Sequence, residues 1–372
     1  MLGGGQLGRM FCHASTRMGY RVTVLDPAQH SPAAEVAGCH LRYAYDDPAG
    51  LQKLADSCDA VTTEFENVPA DSLRWLARHV PVYPPAAAVE IAQDRGREKQ
   101  FFTDHQLPTN RFVSIDPSTD IRAAYESLGC RRVILKTATL GYDGKGQRIC
   151  ESAAQVENAY TELAAANCIL EEMVSLDAEV SVVLARDVRG DISAYPVIEN
   201  QHRNGILDLS IVPARVPAAL AQQAQQLARR LADALDYTGV LALEMFVSNG
   251  RLLLNEMAPR PHNSGHITLD AFSVTQFDQQ VRTLASLPVA AIDAETATSA
   301  NGVMLNILGD LLLARDFDWQ IFSCTEKCHM HVYGKEEARQ GRKMGHANYV
   351  GDNRDHLLGL VDAVKQRWPE AF

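Results

Sequence analysis

No apolar run in this 372-residue chain approaches the roughly 18 residues that a membrane-spanning helix needs, so no helical span is expected. There is no basic run either. Lys and Arg total 35 against 46 Asp and Glu, a formal charge of -11. Such a chain is a poor general nucleic-acid binder, and an anionic ligand must be met by a local basic cluster. The N-terminus lacks a charged start followed by an apolar core, so no secretory leader is expected. The eight cysteines are scattered, and only Cys324 and Cys328 lie close together. That spacing fits the reduced thiols of a cytoplasmic protein better than a disulfide framework. Against these absences stand 46% apolar and 22% charged residues, enough for large cores and too few charges for disorder. At about 150 residues per domain the length predicts two or three domains.

The first hundred residues alternate strand and helix signals. GGGQLG (3–8) leads into Leu7, Met10, Phe11, Ala14 and Met18 at helical spacing, closed by Gly19. Residues 21–25 read as a short strand. Asp47-Pro48 marks a helix start, a capping acid followed by Pro at the first helical position. Residues 60–65 form another strand, and Pro69 opens another helix. This alternation predicts a doubly wound parallel sheet. Only Met1 and Leu2 precede the glycine loop, so either its leading strand is cut short or the recorded start lies downstream of the true one. Gly3, Gly5 and Gly8 satisfy the dinucleotide pattern G-x-G-x-x-G, with Asp26 near the place of a ribose-binding acid. The same glycines serve equally well to pack a strand closely on a helix. Glu66 and Asn67 fall at the carboxyl end of the strand VTTEF, where open sheets bind ligands.

The middle of the chain carries the chemistry. Strand VILK ends at Lys136 and is followed by GYDGKGQ (141–147). Its glycines let backbone N–H groups approach phosphates, and Asp143-Gly144 makes a hairpin turn. CILEEMV (168–174) is a strand that runs into Glu171 and Glu172, and Glu179 follows in the next strand. In VLALEMFVSNGRLLLNEMA (240–258), Ser248-Asn249-Gly250 folds two apolar runs into a hairpin. Glu244 then lies nearly opposite Glu256. Two carboxylates about 5 Å apart at an effective dielectric of 20 repel by roughly 3 kcal/mol. A cation between them removes the repulsion, and carboxylate oxygens completed by water and phosphate suit Mg²⁺. The alternatives are a solvent-facing Glu or a register one residue different. Arg260-Pro261-His262-Asn263 follows, with groups able to hold an oxyanion and a small substrate. Residues 217–235 form an amphipathic scaffold helix. Cys324, Cys328, His329 and His331 read as part of a strand rather than a zinc site. Lys335, Arg342 and Lys343 form either a solvated turn or a phosphate clamp.

GGGQLGRM (3–10), GYDGKGQ, NEMAPRPHNSGH (255–266) and YGK…GRKMGH (333–346) together resemble the ATP-grasp superfamily. Within it they resemble the N5-carboxyaminoimidazole ribonucleotide synthase family. The resemblance implies an α/β protein of three parts. These are a doubly wound N-terminal pre-ATP-grasp domain (1–95), a central ATP-grasp α+β domain (96–290) and a small C-terminal domain (291–372). It implies ATP-dependent carboxylation of 5-aminoimidazole ribonucleotide by bicarbonate in purine biosynthesis, with Mg²⁺, in a homodimer. By the same resemblance, Arg95 and Lys136 contact ATP phosphates. Gly141, Tyr142, Asp143, Gly144, Lys145, Gly146 and Gln147 cover them. Glu171, Glu172, Met173 and Val174 hold adenine and Glu179 the ribose. His202 lines the nucleotide site. Glu244 and Glu256 bind Mg²⁺ with Asn255 beside them, and Arg260, His262 and Asn263 hold bicarbonate. Gln6, Glu66, Tyr142, Lys145, Arg260, Lys335 and Arg342 bind the ribonucleotide. Thr137 to Leu140 depart from the arginine and further glycine that many relatives carry. The rival readings are an ATP-grasp ligase with another acceptor, a nucleotide-binding regulator without turnover, and a dinucleotide oxidoreductase.

Overall fold

The N-terminal module keeps the parallel order but very little strand. In the computed structural model, which describes residues 1–141, 146–163, 167–323, 325 and 327–372, β1 (Thr23–Leu25) pairs in parallel with β2 (Cys39–Leu41). Leu2 makes single parallel bridges to Leu25 and to Thr63, and Val61 bridges Val82. The strand expected over 21–25 therefore shrinks to three residues, and that over 60–65 to two isolated bridges. A ladder needs partner groups, and Leu2 offers one residue's worth on each side. The Met1 ammonium donates to the Thr23 carbonyl at 2.9 Å, and Leu2 is fully buried among Leu25, Leu54, Val61 and Leu73. Helix α1 (Gln6–Arg17) buries Leu7, Met10, Phe11 and Ala14, the predicted stripe. Helix α2 (Pro48–Ser57) starts where expected, with the Asp47 carboxylate accepting from the N–H groups of Ala49 and Gly50. Helix α3 (Ala70–Leu76) follows Pro69.

Helices α4 (Ala86–Ala92) and α5 (Arg95–Asp104) lead into a four-stranded antiparallel sheet. Its strands are β3 (Phe112–Ile115), β4 (Val133–Thr137), β5 (Gln147–Cys150) and β6 (Cys168–Glu172), in the order β3-β6-β4-β5. Helices α6 (Ile121–Ser127) and α7 (Ala153–Leu163) share its core through Ala124, Val156 and Ala159.

The second antiparallel sheet has nine strands. They are β7 (Ala178–Arg186), β8 (Ile192–Ala194), β9 (Ile198–Arg203), β10 (Ile206–Val212), β11 (Gly239–Ser248), β12 (Arg251–Ala258), β13 (Asn301–Leu308), β14 (Cys328–Val332) and β15 (Lys343–Gly351). The order is β12-β11-β7-β9-β10-β13-β15-β14, with β8 on β7, so residues on both sides of position 290 share one sheet. Helix α8 (Ala218–Ala234) lays Leu220, Ala224, Leu227 and Leu231 on the β7, β11 and β12 side, as its apolar face requires. Short α9 (Thr268–Ala271) and α10 (Gln276–Leu284) follow the hairpin, and α10 packs against α1. The pieces α11 (Gly309–Leu313) and α12 (Gln320–Ser323) precede α13 (Arg354–Arg367), which covers β13 and β15. Among the described residues no helix is long and apolar enough to cross a membrane.

Candidate active site

The opposition of Glu244 and Glu256 depends on a bulge. From the turn, Ser248 pairs with Arg251, Val247 with Leu252, Phe246 with Leu253 and Met245 with Leu254. Continued regularly, the ladder would set Glu244 against Asn255. Instead Asn255 is the extra residue, and Glu244 pairs with Glu256. One inserted residue re-aims every side chain beyond it. The two acids thereby share a face and line a cleft of 340 Å³. The cleft is completed by Arg95, Arg260, His262, Asn263 and Lys343, and from the N-terminal module by Gln6, Glu64 and Glu66. Asn255 does not line it.

Each acid has a cationic or imidazole partner. Glu244 Oε1 lies 2.9 Å from His262 Nε2, and Glu256 Oε2 lies 2.8 Å from Arg95 Nη1. Burial works to raise the pKa of Glu244, but His262, with His202 and Lys343 behind it, holds it down at about 2. Arg95 also donates to the Gly141 carbonyl at 2.9 Å, tying the start of α5 to the loop after β4. Arg260 pairs with Glu66 across the boundary between sheet and N-terminal module. Burial raises the Glu66 pKa and the Arg260 guanidinium overrides it, leaving the carboxyl at about 2. Asn263 is buried, and among the described residues neither its amide nitrogen nor its amide oxygen has a partner. A buried amide facing a cleft with both ends unpaired is costly without a ligand.

Lys136 and Glu171 form a second cluster. Lys136 Nζ lies 3.0 Å from Glu171 Oε2, which also accepts from Asn110 Nδ2 at 3.0 Å and faces Lys99 Nζ at 3.9 Å. Burial opposes ionisation of Glu171, but Lys136 and Lys99 hold its pKa at about 2. Glu172 is bidentate to Arg111 at 2.8 Å, and the Met173 N–H donates to the Arg132 carbonyl. Met173 and Val174 are half-buried. Glu179 Oε2 lies 2.8 Å from His202 Nδ1, and this acid, with Glu244 and Glu256, raises the His202 pKa against its burial. Gln147 stands opposite Lys136 on β5. Tyr142, Asp143, Gly144 and Lys145, like Cys324, lie outside the described residues. Leu140, in the segment between Lys136 and Gly141, takes a left-handed φ of 60°.

Lys335 and Arg342 do not line the main cleft. With Ser31, Glu35 and Gly334 they line a neighbouring cavity of 230 Å³. Lys335 Nζ donates to the Lys343 carbonyl at 2.7 Å.

The glycine loop is already filled. Glu64 accepts from the Gly5 N–H and, at 2.6 Å, from the Gly8 N–H, so a protein carboxylate sits where a pyrophosphate would. A Cβ on Gly5 would lie 2.5 Å from Glu64 Oε1, which explains the glycine. Asp26 is engaged by the Tyr45 hydroxyl and the Ala28 N–H. The dinucleotide reading therefore fails. Glu64 and Glu98 line the cleft and Ser31 the neighbouring cavity, and none of the three is in the motif-based assignment. The first signal for Glu64 was available, an acid in an apolar strand end two residues before Glu66.

The donors fit Mg²⁺. Two oxygen-bearing carboxylates on one face, opening to a polar cleft, leave the remaining positions for water and phosphate.

Two antiparallel sheets joined to a parallel N-terminal module, with opposed acids and a strand-end lysine between them, define an ATP-grasp protein. Residues 100–277 match the ATP-grasp domain family, residues 1–93 the ribonucleotide synthetase preATP-grasp domain, and residues 302–359 the phosphoribosylaminoimidazole carboxylase C-terminal domain. The chain is similar to the N5-carboxyaminoimidazole ribonucleotide synthases of Brucella melitensis and Bacillus subtilis. They are 43% and 38% identical over 94% and 99% of this chain, and over 95% and 94% of their own. A solved N5-carboxyaminoimidazole synthase from Aspergillus clavatus, in complex with ADP and 5-aminoimidazole ribonucleotide, superposes with a TM-score of 0.88. It is 30% identical, and the match covers 98% of this chain and 97% of that one. The chain belongs to the N5-carboxyaminoimidazole ribonucleotide synthase family.

Proposed function

We propose that the protein joins bicarbonate to 5-aminoimidazole ribonucleotide at the expense of ATP, in de novo purine biosynthesis. The products are N5-carboxyaminoimidazole ribonucleotide, ADP and phosphate. The observation that carries this reading is one cleft, lined at once by opposed Glu244 and Glu256, by Arg260 and the unpaired Asn263, and by Gln6 and Glu66 of the N-terminal module. It can hold a metal-bound phosphate, an oxyanion and a second substrate side by side.

In this reading Glu244 and Glu256 hold Mg²⁺, with Asn255 setting their register. When bound, the ion neutralises charge on the transferring phosphoryl group. Lys136, Arg95 and residues 141–147 bind the ATP phosphates, Glu171 to Val174 adenine, Glu179 the ribose, and His202 steadies Glu179. Arg260, His262 and Asn263 hold bicarbonate while one of its oxygens attacks the γ-phosphorus and ADP leaves. Arg260 and Lys136 stabilise the charge that spreads over the transferred group. The carboxyphosphate formed gives CO₂ and phosphate. Gln6, Glu66, Tyr142 and Lys145 keep the exocyclic amine of the ribonucleotide beside the CO₂, which the amine attacks with loss of a proton. Lys335 and Arg342 take its phosphate in the neighbouring cavity. Exclusion of water protects the labile intermediate. The protein acts as a cytoplasmic homodimer, with domains 1–95, 96–290 and 291–372.

ADP release with Mg-ATP and bicarbonate, with and without the ribonucleotide, tests this. Release that depends on the ribonucleotide and stops with EDTA is expected. Release indifferent to the ribonucleotide would reassign the acceptor.

A further inference from the structure

Helix α5 carries two fully buried charged residues in succession, Glu98 and Lys99, 2% and 1% exposed. Neither makes the surface pair that usually explains a helix charge. Both instead reach the edge strand β12, and they reach it on the two sides of the bulge. Lys99 Nζ donates to the Leu254 carbonyl at 3.0 Å, just before Asn255. Glu98 Oε1 accepts from the Met257 N–H at 2.6 Å, just after Glu256.

The spacing is the informative part. In a regular strand, backbone groups facing one edge recur every second residue. Leu254 faces outward, its N–H donating to the Pro108 carbonyl. The next outward-facing N–H should belong to Glu256. Here it belongs to Met257, because the bulge inserts one residue. The Met257 N–H just after the bulge is met by Glu98, and the Leu254 carbonyl just before it is shared by Lys99 and the Thr109 hydroxyl, which donates to it at 2.8 Å. Lys99 also bonds Thr109 Oγ1 and Asn110 Oδ1 at 2.8 and 2.7 Å, and faces Glu171, the partner of Lys136. One helical turn earlier, Arg95 pairs with Glu256 itself.

We infer that Glu98 and Lys99 are positioning residues, a clamp that holds the Asn255 bulge and so keeps Glu256 opposite Glu244. The inference rests on the reading of those two acids as the metal-holding pair. Without the clamp, β12 can relax to the regular register, which sets Asn255 against Glu244 and turns Glu256 away. Each clamp bond ends on the backbone of β12 and not on a carboxylate of the pair. Their loss acts through the carboxylates.

The test is Mn²⁺ binding to the full chain with ADP present, read from the free-ion electron paramagnetic resonance signal, beside ADP binding without metal. Glu98→Ala is expected to weaken Mn²⁺ at least tenfold and to change metal-free ADP binding by less than threefold, and Lys99→Met, which also removes a cation facing Glu171, to weaken Mn²⁺ more than it weakens metal-free ADP. Glu98→Gln keeps an acceptor for the Met257 N–H and should stay within threefold of the parent. If Glu98→Ala does not fold, Glu98→Asp, whose acceptor is one methylene short, is judged by the same criterion. Glu244→Gln and Glu256→Gln serve as references. If they weaken Mn²⁺ and the clamp variants do not, the clamp is wrong and the metal site stands. If the references leave Mn²⁺ unchanged, the metal reading itself fails. Equal losses of Mn²⁺ and metal-free ADP binding in the clamp variants would also overturn the inference, since they mark a general loss of structure.

Discussion

Asn263 shows how a site residue differs from a structural one. Its amide is buried and unpaired, so the folded protein gains nothing from it. Asn263→Ala should leave unfolding free energy unchanged or raise it by about 1–3 kcal/mol, because a costly unpaired amide is removed and no hydrogen bond to a described residue is lost. Ribonucleotide-dependent ADP release should fall at least about a hundredfold, the scale seen when one oxyanion donor is removed. Urea melts and turnover of the same sample check both halves. Arg260 behaves in the opposite way. Its partner Glu66 is left charged and half-buried by Arg260→Met, and breaking such a pair costs about 3 kcal/mol. The same variant should release the Glu66 pKa upward from about 2, visible as a new titration in carboxyl NMR.

At the scale of elements, several features needed only neighbouring residues. Asp47-Pro48 specified the start of α2, and the cap is made by that side chain on the next N–H groups. Asp47→Ala should cost about 1 kcal/mol of stability, measured by thermal or urea unfolding, with turnover per folded molecule unchanged. The turn at Ser248 to Arg251 and the stripe on α8 were legible for the same reason. The Asn255 bulge was not. The residues in NEMA carry no local signal for an extra residue, and the groups that satisfy it sit on α5, more than 150 positions away. The strands over 21–25 and 60–65 misled in the other direction. Their composition favours strand, but strand length is set by the partner, and Leu2 is too little partner.

Across the whole molecule, acid sensitivity follows from a buried imidazole column. His266 and His346 are fully buried, with their rings tilted by 31° at a centroid distance of 4.9 Å, and His346 stacks on His331 at 4.6 Å. Burial, with the neighbouring histidines and cations, holds the pKa of His266 and His346 well below the ordinary 6.5. Asp270, 2.8 Å from His331, faces the column from α9, and the Tyr333 hydroxyl meets His346 Nδ1. The unfolded chain binds protons at these sites below pH 6.5 and the folded chain does not. Stability from this source is therefore complete above pH 6.5 and lost as pH falls toward the folded values. Melting temperature should drop between pH 7 and 5. His346→Gln should make that slope shallower, by up to about 1.4 kcal/mol per pH unit. A second loss belongs to Glu66 and Glu171, whose contribution is present above pH 4.5 and fades toward pH 2.

The sequence by itself determined the motifs, the hairpin that sets Glu244 near Glu256, the helix caps and the family they identify, because these rest on backbone preferences and spacing over a few residues. The tertiary structure alone decided which acid fills the glycine loop, which cation balances each carboxylate, and which register the hairpin takes. Several of those outcomes join groups far apart in the chain, 56 positions for Gly8 with Glu64 and 194 for Glu66 with Arg260. Burial sets their energy, and burial is a property of the assembled chain.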